Sequence, residues 1–122
     1  MVTPKLRDLL SRAPGNGSLA GDSVLHGSGE HPVCGDVVEL DVRLADDRIA
    51  ELRWRAQGCP ATLAVASLAA EVLAGQVVAD AASCLRSALV AAGDLEPHER
   101  HAEAMFGRAL RAAIADGADR GF

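Results

Sequence analysis

Three positions in the first half of the chain carry side chains suited to holding a metal ion. Cys34 and Asp36 flank a single glycine in His31-Pro32-Val33-Cys34-Gly35-Asp36, and Cys59 stands between Gly58 and Pro60. Thiolates and carboxylates are ligands for zinc and ferrous iron, and a glycine lets the backbone curl so that its neighbours approach one ion. A further donor, the imidazole of His101, lies far along the chain among His98, Glu99 and Arg100. Brought together, Cys34, Asp36, Cys59 and His101 make a set of two sulfurs, one oxygen and one nitrogen, acceptable to zinc or ferrous iron.

Each residue also has a plainer reading. A helix beginning at Pro60 would aim unsatisfied N–H groups at the Cys59 thiol and favour the thiolate, which binds metal or attacks sulfur. A small apolar residue at a strand–helix junction would look the same. Cys34-Gly35-Asp36 taken alone is a turn followed by a solvated aspartate; Cys59 at the far end of the same hairpin is what gives it weight. His31 and His98 are spare nitrogen donors, otherwise facing solvent. Cys84, inside Ala81-Ala82-Ser83-Cys84-Leu85, reads as a small buried hydrophobe. Gly27-Ser28-Gly29 lacks the lysine and helix start of a phosphate loop, and Ser67 has no nucleophile-elbow context.

The elements that must position these residues follow from periodicity. Residues 37–44 alternate, with Val38, Leu40, Val42 and Leu44 on one side and Glu39, Asp41 and Arg43 on the other. After a turn at Ala45-Asp46-Asp47, residues 48–57 return, with Leu52, Trp54 and Ala56 opposite Arg53, Arg55 and Gln57 and a change of phase near Ile49. This predicts an antiparallel hairpin covered on one face, with exposed Glu39 and Asp41 pairing with Arg53 and Arg55 for well under about 1 kcal/mol each. Residues 4–12 predict a short helix ended by Ala13-Pro14-Gly15-Asn16-Gly17, and residues 19–30 a loop with one short edge strand around Val24-Leu25. A helix apolar nearly all round spans 60–74, a second spans 78–91, and a more polar third spans 98–115. The predicted class is α+β, a small antiparallel sheet of about three strands with helices on one face.

Composition narrows the function. With 122 residues, 49% of them hydrophobic, the chain reads as one domain over residues 1–122 with a real core. Ala, Val and Leu fill it, since Trp54, Phe106 and Phe122 are the only aromatics. A net charge of -5, with Lys5 the sole lysine, argues against nucleic acid. The N-terminal residues lack the apolar core of a signal peptide and no window is long enough to span a membrane, so a cytoplasmic location is expected. Three cysteines suit buried thiols, ligands or reactive groups better than a disulfide framework.

These motifs resemble the iron–sulfur cluster assembly scaffold family, of the IscU type and the NifU N-terminal domain. The similarity runs through Ala13-Pro14-Gly15-Asn16-Gly17-Ser18-Leu19, Cys34-Gly35-Asp36, Gly58-Cys59 with the helix ending Glu71-Val72-Leu73-Ala74-Gly75, and the interval from Cys59 to His101-Ala102. The resemblance implies that Cys34 and Cys59 are ligands of iron or of a [2Fe–2S] cluster, that Asp36 keeps the cluster labile, and that His101 stands beside the third ligand. It implies a cysteine desulfurase as sulfur donor, recipient apo-proteins, and no enzymatic turnover. Two departures stand out. The family's third cysteine falls at Ala102, and Leu95-Glu96-Pro97-His98-Glu99 departs from Leu-Pro-Pro-x-Lys, which argues against an Hsp70-type chaperone partner. A zinc-stabilised homologue acting as a regulatory partner is the alternative, and a thiol enzyme using Cys59 with His101 as base is a third reading.

Overall fold

In the computed structural model, which describes residues 2–121, the first helix and the helix after the hairpin open on prolines, Pro4 and Pro60. Met1 and Phe122, one of the three aromatics, lie outside the described residues. Helix α1 (Pro4–Arg12) opens with the Thr3 hydroxyl accepting the Leu6 amide, and ends at Ala13 in the left-handed region. Strands β1 (Leu25–Glu30), β2 (Val37–Ala45) and β3 (Arg48–Gln57) follow, then α2 (Pro60–Val72), α3 (Ala81–Ala91) and α4 (His101–Asp119). Single 3-10 turns, Val78–Asp80 and Pro97–Glu99, lead into α3 and α4. The sheet is antiparallel in the order β1-β2-β3. Helix α4 lies across β1 and β2, α2 lies against β3, and α1 and α3 pack on α2. The α+β class with helices on one face is what the periodicity predicted.

The inward sides of β2 and β3 carry Val38, Leu40, Val42, Ile49, Leu52 and Trp54, all buried. Leu44 pairs with Ile49 but Arg43 pairs with Glu51, so Ala50 is an extra residue on β3. This bulge absorbs the phase change near Ile49. Helix α2 is alanine-rich and buried on nearly every side, from Ala61 to Ala69, as its lack of a polar face implied.

Two features differ from the sequence reading. The strand placed near Val24-Leu25 runs on through the glycine-serine segment to Glu30. Its inward positions are Leu25, Gly27 and Gly29, opposite Val42, Leu40 and Val38. A Cβ on Gly27 would lie 2.0 Å from the Ala109 carbonyl oxygen, and one on Gly29 2.4 Å from that of Met105. The missing side chains admit the α4 backbone, and the same absence erases the strand's hydrophobic alternation.

The second difference is Asp41, which is 2% exposed rather than part of a solvated face. The Trp54 indole donates to the Pro14 carbonyl at 2.7 Å, and residues 15–17 pair with Trp54 along the free edge of β3. The chain then crosses the outer face, where the Leu19 amide donates to Asp41 at 2.9 Å. Arg55 contributes two hydrogen bonds to Asp41, at 3.2 and 3.1 Å, while reaching Glu39 at 3.4 Å, and His26 Nδ1 lies 2.9 Å from Asp41. Arg55 is one of the two expected partners; the other, Arg53, donates instead to the Leu52 carbonyl.

Burial pushes the Asp41 carboxyl up, but hydrogen bonds from Arg55, Leu19 and His26 outweigh it and hold it below the usual range. A depressed folded-state value stabilises the fold above the unfolded carboxyl's pKa of about 3.9, and this is lost as pH falls through the folded value. Asp41→Asn is expected to cost about 2 kcal/mol in urea unfolding at neutral pH, since Arg55 is part-exposed and rehydrates. The difference from wild type should close as the pH drops below about 4.

Candidate metal centre

The register of the hairpin builds the first half of the site. Val37 pairs with Gln57, so Asp36 and Gly58 emerge side by side from the end of the sheet. Gly58 has φ +150°, and a Cβ there would fall 2.4 Å from Asp36 Cγ. Only glycine leaves the carboxylate its place. Cys59 is the N-cap of α2 with extended backbone, and its own side chain makes no capping bond. Asp36 does that work: its Oδ2 accepts the Cys59 amide at 3.2 Å and the buried Thr62 hydroxyl at 3.0 Å. Thr62 had no part in the sequence reading; its signal was its position three residues after a helix-capping cysteine.

Helix α4 brings the imidazole. His101 is its first residue, and Nδ1 lies 3.1 Å from the His98 carbonyl oxygen. A carbonyl only accepts, so Nδ1 carries the proton of the neutral ring and Nε2 presents its lone pair. Nε2 is 3.7 Å from Cys59 Sγ and 3.5 Å from Asp36 Oδ2, and Thr62 Oγ1 lies 3.6 Å from the same sulfur. Burial pushes the Asp36 carboxyl up, yet hydrogen bonds from Cys59 and Thr62 bring it below its ordinary range. It is therefore an anion at neutral pH.

Donor atoms of Asp36, Cys59 and His101 all lie within 4.8 Å of one another. An ion bound at about 2.0–2.3 Å by tetrahedral ligands needs neighbouring donors about 3.3–3.8 Å apart. The two distances made by His101 Nε2 meet that spacing. Sulfur, nitrogen and carboxylate oxygen together suit zinc or ferrous iron. A cleft of about 560 Å³ between α1 and the start of α4 reaches Cys59 and His101, with Leu10 and Pro60 among its walls.

The other sequence candidates fall elsewhere. Cys34 is exposed on the turn joining β1 to β2, and its thiol is outside the group of three. Its amide donates to His31 Nδ1 at 3.1 Å. His31 is half-buried, its ring centroid 4.7 Å from that of His101. His98 is exposed beside Glu96. Cys84 is partly buried, its thiol 3.6 Å from the Val72 carbonyl oxygen. Ala102 is buried in the core cluster.

Residues 4–121 match the NifU-like N terminal domain. The chain is similar to the iron-sulfur cluster assembly scaffold protein IscU 1 of Archaeoglobus fulgidus, with 33% identity over 87 residues, which are 70% of this chain and 57% of that relative. Less than two thirds of that relative's length is thus spanned. A NifU-like protein (N-terminal) from Brucella abortus has a similar structure, with a TM-score of 0.61 at 15% identity over 96% of this chain and 89% of that one. A putative iron-sulfur cluster assembly scaffold protein for the SUF system from Fervidobacterium islandicum gives 0.61 at 16% identity, over 90% and 85% of the two chains. At these identities the structural likeness speaks for the fold alone.

Gly58→Ala is expected to push the Asp36 carboxylate away from the Cys59 amide. The variant should lose about 1–3 kcal/mol in denaturant unfolding, and its zinc affinity in a competitive chelator titration should fall roughly tenfold or more.

Proposed function

The chain belongs to the NifU-like N-terminal domain family, and we propose that it acts there as a scaffold on which an iron–sulfur cluster is assembled and from which it is passed on. The supporting observation is His101, whose ring is held at Nδ1 by the His98 carbonyl with Nε2 3.7 Å from Cys59 Sγ and 3.5 Å from Asp36 Oδ2. Residues 1–122 form one such scaffold domain. Its cargo is iron or a [2Fe–2S] cluster, taken up as substrate by Cys34, Asp36, Cys59 and His101. The cysteines bind as thiolates, so uptake releases protons. Asp36 binds more weakly than a thiolate would, which suits a cluster that must leave.

On this reading the protein is no enzyme: a cysteine desulfurase supplies the sulfur and recipient apo-proteins take the cluster. Glu99 stands where the chaperone motif of the resembled family has lysine, which argues against an Hsp70-type chaperone as partner. Among the described residues no helix is long and apolar enough to cross a membrane, and the reading places the chain in the cytoplasm. Neither nucleic acid nor a membrane enters the scheme.

One observation favours a second reading. Three donors gather within 4.8 Å of one another while Cys34 stands apart, which fits a zinc-stabilised regulatory homologue. Metal analysis of the purified chain, followed by anaerobic reconstitution with iron and sulfide, separates the two. The scaffold predicts visible-range absorbance with two irons and two sulfides per chain, lost in both Cys34→Ala and Cys59→Ala. Stoichiometric zinc that iron and sulfide do not displace would overturn it in favour of the second reading.

A further inference from the structure

His31 lies outside the set of Cys34, Asp36, Cys59 and His101, yet it touches two of its members. Its ring leans on that of His101, with centroids 4.7 Å apart and planes 57° to one another. Its Nδ1 accepts the Cys34 amide at 3.1 Å. Its backbone closes the same turn: the His31 amide donates to the Asp36 carbonyl at 2.9 Å, and its carbonyl accepts the Gly35 amide at 2.8 Å. An amide nitrogen only donates, so the Nδ1 lone pair is spent on the backbone and the proton of the neutral ring sits on Nε2. A ring in that tautomer is no nitrogen ligand.

The turn needs such a tether. Pro32, Val33, Cys34 and Gly35 are all exposed, Val33 to 87%, so no core packing fixes them. Asp36, Cys59 and His101, by contrast, stand at the ends of packed elements. A thiol on a free turn spends little of its time near a fixed point, and ordering it at the moment of binding costs conformational entropy. Among the described residues, His31 is the side chain that joins the Cys34 backbone to the ring of His101.

We propose that His31 is a positioning residue of the metal centre, tying the Cys34 turn to His101 so that the exposed thiol joins Asp36, Cys59 and His101 around one cargo. This rests on the reading of those residues as a metal centre, and the test separates the two. Cobalt(II) serves as the probe, because its near-ultraviolet thiolate charge-transfer band scales with the number of sulfurs bound.

The full chain should show a two-thiolate band. His31→Ala should drop it to about half, matching Cys34→Ala, and weaken cobalt binding roughly tenfold, in the range seen when a partner that orients a ligand is lost. His31→Asn, whose amide oxygen can accept the Cys34 amide but which loses the ring against His101, should restore only part of the band. His31→Phe, which keeps a ring against His101 and loses the acceptor, should restore none of it. Circular dichroism and thermal melting of each variant report that the fold is retained.

A His31→Ala protein with the wild-type band and affinity would overturn the proposal, as would a His31→Asn protein no better than His31→Ala. A wild-type band worth one thiolate would overturn it too while leaving the three-donor centre standing. A wild-type chain giving no thiolate band at all would sink the centre and this inference together.

Discussion

A single carboxylate oxygen joins three parts of the molecule. Oδ2 of Asp36, at the mouth of the hairpin, takes the amide that opens α2, takes the Thr62 hydroxyl from the first turn of that helix, and faces the ring that opens α4. A buried anion is tolerated only when donors surround it, and unsatisfied amides at a helix start are costly in the same way. Each defect cures the other here. Removing the carboxylate would strand two donors, a loss of about 1–3 kcal/mol for each one left dry. The amide and the hydroxyl both fall on Oδ2, so Oδ1 accepts neither of them.

The distant histidine arrives by a different route. Helix α4 lies so close to β1 that its backbone rests on Gly27 and Gly29, and this fixes the helix axis against the sheet. The 3-10 turn Pro97–Glu99 then places the His98 carbonyl under the His101 ring, which sets the tautomer. Rigid packing thus supplies three donors with defined geometry, while the fourth rides on an exposed turn. Under the proposed scaffold function, a site that takes up and gives up its cargo gains from that division, because low local stability lies where ligands exchange.

Much of this was legible in the residues. The alternation from Val37 to Gln57, the leucine spacing of residues 4–12 and the proline at position 60 gave the hairpin and two helices, with Cys59 at the strand–helix junction. What escaped did so for identifiable reasons. The first strand shows no apolar alternation because two of its inward positions are glycines whose missing side chains are filled by another helix. Asp41 looks like any solvated strand aspartate until residues 15–19 wrap the edge and face of the sheet, an arrangement no local pattern announces. His101 could be tied to the cysteines only by resemblance, since the meeting is tertiary. Thr62 and His31 act through hydrogen bonds on backbone and carboxylate, and such second partners leave no periodic trace.

The central claim is that sulfur, carboxylate and imidazole converge on one metal position. X-ray absorption at the iron K-edge of the anaerobically loaded chain tests it most directly. The account requires sulfur scattering at the distance of a bound thiolate together with the outer-shell multiple scattering of one imidazole, the latter vanishing in His101→Ala. An iron environment of light atoms alone, or one unchanged by that substitution, would contradict it.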